Sequence, residues 1–183
     1  MFGRPRRFAD RETRELMERC RRTVDALALP SPFDVVDFVA TLERRRGRPI
    51  RLLPMAARPN VPCGLLASTD DADYISYSAD TTALHQQHIL LHEVAHLICG
   101  HHQSSATRES TAQLLFPNLP PALVHRVLGR SAYSEPQERE AELIATLIRC
   151  RAALEDERRS LAEPGDTRLG SLLAPPRVRS RRD

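Results

Sequence analysis

Ile89-Leu90-Leu91-His92-Glu93-Val94-Ala95-His96-Leu97-Ile98 is the stretch on which the fold turns. With Leu84 upstream, its apolar residues cover most of a helix circumference, which predicts a helix buried on nearly all sides. Asp80, Thr81 or Thr82 can cap its start and Gly100 can end it. Side chains at i and i+4 share one helix face, so His92 and His96 can aim ring nitrogens at one Zn²⁺, held at about 2.0–2.1 Å. Glu93 stands about 100° further round. From there it reaches water activated by the metal rather than the metal itself, the place of a general base in hydrolysis. Two imidazoles and a carboxylate on a buried helix are costly unless a metal or partner satisfies them.

A catalytic zinc needs a third protein ligand and an open position. Two candidates compete. His102 lies six residues beyond His96, but the metzincin spacing needs Gly at the third place after the second His, where this chain has Cys99. No Met follows to supply a Met-turn, so His101 and His102 are expected instead at the helix C-terminus, facing its last carbonyls. The second candidate is Glu138. On a helix beginning near Glu135, Glu138, Ala141, Glu142 and Ala145 share one face, and the two alanines permit close approach to the HExxH helix. Glu138 is then expected to bind the metal. Glu142, one turn on, is expected to accept a hydrogen bond from the far nitrogen of a ligating His, while Glu140 is expected to point to roughly the opposite side. His88 reads as a buried or rim histidine and Cys99 as a small buried hydrophobe. Tyr74, Tyr77, His125 and Tyr133 are the groups available to stabilise an oxyanion.

Working outward, Leu16, Cys20, Val24 and Leu27 recur at helical spacing within 10–29, and a second helix is expected from about Phe33 to Arg45. Ile50–Leu53, Gly64–Ala67 and Asp73–Ser78 read as strands, the last two an antiparallel pair across Ser68-Thr69-Asp70-Asp71. Residues 103–119 read as a loop with one short helix, and Pro121–Leu128 as another short helix. A long helix is expected over about Glu135–Arg159, with Ser134 as cap and Pro136 at its first position. The fold class is therefore α+β: a helix-rich single domain with a small, largely antiparallel sheet of about three strands beside the HExxH helix. The expected organisation is a basic N-terminal extension over 1–9, a zincin-like domain over 10–160, and an Arg/Pro-rich tail over 161–183 read as disordered.

Composition excludes several classes. All 27 basic residues are Arg, balanced by 24 acids for a net charge of +3, and in Arg11–Arg22 the acids Glu12, Glu15 and Glu18 interleave with them. No single-sign stripe results, so direct nucleic-acid binding by the folded part is not expected. The four cysteines never approach CxxC spacing and fit free thiols. No run reaches the roughly 18 apolar residues of a membrane span, and Met1–Glu12 lacks the apolar segment of a signal peptide. A cytoplasmic location without membrane association is the expectation.

Ile89–Ile98 together with Glu138-Arg139-Glu140-Ala141-Glu142-Leu143-Ile144-Ala145 resembles the ImmA/IrrE family of metallopeptidase-like proteins, through its HExxH helix and its downstream E-x-x-A-[N/D]-x-F-A pattern. Glu142 stands where Asn or Asp is common, and Ile144 where Phe is common. The resemblance covers roughly residues 10–155. It implies a gluzincin-like zinc endopeptidase with His92, His96 and Glu138 on the metal and Glu93 as base, acting on a cytoplasmic protein such as a helix-turn-helix transcriptional regulator. The alternative is a non-catalytic, metal-containing regulatory or toxin–antitoxin-type binding module that captures such a partner. The presence of Glu93 speaks for the enzyme, because a pure binding module has no need of a base beside the metal.

Overall fold

The computed structural model describes residues 6–57, 62–69, 71–101, 124–128 and 133–162. In chain order its elements are α1 (Arg6–Asp25), α2 (Val35–Arg46), β1 (Ile50–Met55), β2 (Gly64–Thr69), β3 (Asp73–Ser78), α3 (Ala83–Ile98), β4 (Val124–Leu128) and α4 (Glu135–Ala162). This is a helix-rich α+β arrangement, as the residue pattern implies. None of the helices among the described residues is long and apolar enough to cross a membrane.

Local chemistry sets the helix ends. The Asp34 carboxylate accepts hydrogen bonds from the N–H groups of Val36 and Asp37 at 2.7 and 3.0 Å, capping α2, and Gly47 at φ 62° closes it. Thr82, one of the three candidate caps, accepts from the His85 N–H at 3.3 Å and starts α3. In α1, Cys20 and Val24 form the buried stripe that packs on α4, while Arg151 of α4 donates to the Val24 and Leu27 carbonyls at 2.6 and 3.1 Å. These bonds add a guanidinium donor to backbone carbonyls at and just past the end of α1.

The sheet runs in the order β1-β3-β2-β4. β2 and β3 form the expected antiparallel pair, with Leu66 opposite Ile75. β1 joins β3 in parallel, and β4 adds a fourth strand antiparallel to β2. The expectation of a short helix over Pro121–Leu128 is thus corrected for Val124–Leu128. Unpaired β2 backbone groups recruit that β-branched segment, and long-range pairing overrides a weak local helix signal. Boundaries also shift: α1 runs over Arg6–Asp25 rather than 10–29, α2 begins at Val35, β1 and β2 extend to Met55 and Thr69, so that Ser68 and Thr69 belong to the strand rather than the turn, and α4 continues to Ala162. The loop expected over 103–119, His102 and the tail from 163 onward lie outside the described residues.

Every residue of β2 is buried, because α3 crosses the sheet while α4 packs on the far side of α3. Leu66, Ile75, Leu91, Val94, Ala95, Ala141, Ile144, Ala145 and Ile148 join these layers in one core. Beneath it, buried Asp73 accepts from Ser68 Oγ and Arg46 Nη1, both at 2.7 Å, and pairs with Arg48 Nε at 3.3 Å, tying α2 to the sheet. Burial alone would raise its carboxyl pKa. The hydrogen bonds and the two guanidinium charges outweigh burial and hold it below the ordinary 3.8.

Candidate metal centre

Two helices build the site. α3 brings His92 and His96 onto one face with their Nε2 atoms 3.1 Å apart. From α4, Glu138 places Oε2 at 3.2 Å from His92 Nε2 and 3.9 Å from His96 Nε2. The close approach rests on Ala95 of α3 and on Ala141 and Ala145 of α4, none of which retains solvent contact. Side-chain exposure grades from 0% at His96 to 53% at Glu142, so the cluster opens toward solvent along α4. There it meets a cleft of about 580 Å³ lined by His92, Glu138, Glu142, Leu16, Met17 and Leu143.

The donor set fits a small divalent cation. Tetrahedral ligands at about 2.0–2.1 Å from a zinc ion stand about 3.3 Å from one another, close to the separations seen here. Glu138 Oε1 is buried without a hydrogen-bond partner among the described residues, the situation of a carboxylate awaiting a cation. His96 is held neutral, as a ligand must be: burial first, then the neighbouring His92 and His101, pushes its pKa down to about 2. His92, His96 and Glu138 therefore form a group that could hold a metal ion. Cys99, His101 and Glu140 form a second such group.

Glu93 is 4% exposed and lies against the start of β2, outside the three-ligand group but close enough to act, with Glu138, on Tyr133, which stacks on His96. A Cβ on Gly64 would stand 2.6 Å from both Glu93 Oε1 and Ile89 Cγ2, so only glycine lets the strand press against this part of α3. Glu142 Oε2 lies 3.5 Å from His92 Nδ1 and 3.3 Å from His88 Nε2, ion-pair distances to two imidazoles rather than the hydrogen bond expected at His92 Nδ1. Glu140 does not turn to the opposite side as expected. Its Oε2 lies 3.3 Å from His101 Nε2. His101 in turn faces His96 rather than the helix carbonyls, with the two Nδ1 atoms 2.9 Å apart. The turn that places it there could not be read from periodicity.

Of the tyrosines considered for an oxyanion, Tyr133 is the one brought to the cluster. Its ring stacks on His96 with centroids 3.6 Å apart and planes 10° from parallel. Its buried hydroxyl lacks a hydrogen-bond partner among the described residues. Burial, then the charges of Glu93 and Glu138, raises its pKa well above the phenol range, so it stays an O–H donor. Tyr74 and Tyr77 lie on β3, and the side chain of His125 lies outside the description. Cys99 caps α3, with its thiol pushed up to about 12 by burial and then by Glu140 and Cys20. All four cysteines are free thiols. No protein-family profile, curated protein sequence or solved structure matches this chain.

Proposed function

We propose that the chain is a zinc-dependent endopeptidase of the gluzincin kind, acting in the cytoplasm on a protein substrate such as a helix-turn-helix regulator. The observation that carries the reading is the convergence of His92 Nε2, His96 Nε2 and Glu138 Oε2 beside a buried Glu93 that is not among the three. A zinc ion held there supplies a Lewis acid for a carbonyl and lowers the pKa of water toward about 7. Glu93 takes the proton of the attacking water and delivers it to the leaving amine. Tyr133 offers its O–H to the developing oxyanion. Leu16, Met17 and Leu143 supply apolar wall for a peptide in the cleft, and Glu142 orients His92.

The test pairs metal content with cleavage. The purified chain should carry about one zinc, lost in His92→Ala and Glu138→Ala. Incubated with a helix-turn-helix protein encoded beside it, the zinc-loaded chain should produce fragments that a chelator abolishes. Glu93→Gln should retain zinc and partner binding while cutting about 10²- to 10⁴-fold more slowly. Binding without fragments, equal in wild type and Glu93→Gln, overturns the peptidase reading in favour of the regulatory binding module.

A further inference from the structure

The two histidines of the cluster are supported differently. The exposed Glu142 carboxylate stands 3.5 Å from the far nitrogen of His92, whereas the far nitrogen of His96 meets another imidazole at 2.9 Å. Gly100, at φ 70°, takes the left-handed conformation that reverses the chain just after α3. His101 therefore folds back under its own helix, where it is only 6% exposed, with Nδ1 at 2.9 Å from His96 Nδ1. Its other nitrogen points at Glu140 Oε2 at 3.3 Å.

Proton bookkeeping along this chain has one consistent solution. A neutral His96 that offers the Nε2 lone pair to a cation carries its proton on Nδ1 and must donate it. His101 Nδ1 then accepts, so a neutral His101 carries its proton on Nε2, the atom that faces the Glu140 carboxylate. The opposite tautomer of His101 would set two N–H groups against each other and a lone pair against a carboxylate. The same carboxylate is approached by Arg19 Nε at 3.9 Å from its Oε1. That guanidinium disfavours a second cation among Cys99, His101 and Glu140, although their ligand atoms lie close enough to hold one.

We propose that Glu140 and His101 act in series as positioning residues, fixing the tautomer and ring orientation with which His96 takes the metal. The inference rests on the metal-centre reading above and assigns a role to two residues outside the HExxH and Glu138 set. It also explains why His101 is buried.

The experiment measures Zn²⁺ affinity by chelator competition and the visible spectrum of the Co²⁺-substituted full chain, with folding checked by circular dichroism. His101→Leu should bind Zn²⁺ about 10- to 100-fold more weakly and alter the Co²⁺ spectrum. His101→Asn, which keeps an acceptor near the place of Nδ1, should recover most of the affinity, and Glu140→Leu should lose more than Glu140→Gln. Folded His101→Leu with unchanged affinity and spectrum overturns the relay, while zinc lost in His92→Ala would leave the metal centre standing. If His101→Leu does not fold, Glu140→Leu carries the same test, and wild-type affinity in it overturns the proposal. Wild-type protein that takes up no zinc overturns both readings. A second zinc equivalent lost in Glu140→Gln overturns the relay in favour of a second metal site.

Discussion

Glu142 shows how position on a helix decides what a carboxylate can do. It sits one turn beyond Glu138, so it shares the face toward α3 but reaches His92 Nδ1 rather than Nε2. At 3.5 Å and 53% exposed, it interacts through water-accessible space, which weakens its grip. Losing such support costs about 10- to 100-fold in metal affinity, and exposure places Glu142→Gln near the lower end. Chelator competition should show a fall of about tenfold, with folding unchanged. Unaltered affinity would remove Glu142 from the site. Its shared contact with His88 gives that histidine a place at the rim, as its spacing on the helix suggested.

At the scale of elements, the contact that places the proposed base is the approach of α3 to the first residue of β2. Gly64 makes it possible, since any side chain there would overlap Ile89 and Glu93 at once. Ile89 is a buried core residue and cannot swing away without opening the layer. Gly64→Ala should therefore cost about 1–3 kcal/mol, as overpacking does. For a chain of this size each kcal/mol lowers the melting temperature by about 2–4 °C. The same variant should slow turnover more than it weakens zinc binding, because the displaced group is Glu93 and not a metal ligand. A melting temperature equal to wild type would show that α3 and β2 do not pack as closely as described.

Across the whole molecule, a metal ion held by His92, His96 and Glu138 would tie α3 to α4 and couple occupancy to stability. If zinc is that ion, its presence at about 100 times its dissociation constant should add about 2.7 kcal/mol, a rise of about 5–10 °C in melting temperature. Without metal, His96 makes the fold acid-sensitive. Folded His96 stays neutral down to about pH 2, while in the unfolded chain it titrates near 6.5. Between those values the unfolded state binds the extra proton, so stability is full above about pH 6.5 and falls as pH drops through that window. Melts of the chelator-treated chain at about pH 7 and about pH 5 check this. A melting temperature that does not change between them would refute a buried neutral His96.

Local periodicity determined the parts of this protein whose partners lie within a few residues. The i, i+4 spacing of His92 and His96, the shared face of Glu138 and Glu142, a cap among Asp80, Thr81 and Thr82, and the β2–β3 pair are all legible because helix geometry and turn chemistry act over short distances. What only the tertiary structure decided depends on groups far apart in the chain. Val124–Leu128 became a strand because β2 offered an edge, and β1 joined β3 in parallel. Gly64 looked like an ordinary strand start until α3 lay on it. By its helix position Glu140 reads as turned from the face of Glu138, yet the left-handed turn at Gly100 brings His101 to meet its carboxylate across 39 residues of chain. Side-chain direction relative to one helix is a local property, whereas what occupies that direction is set by packing.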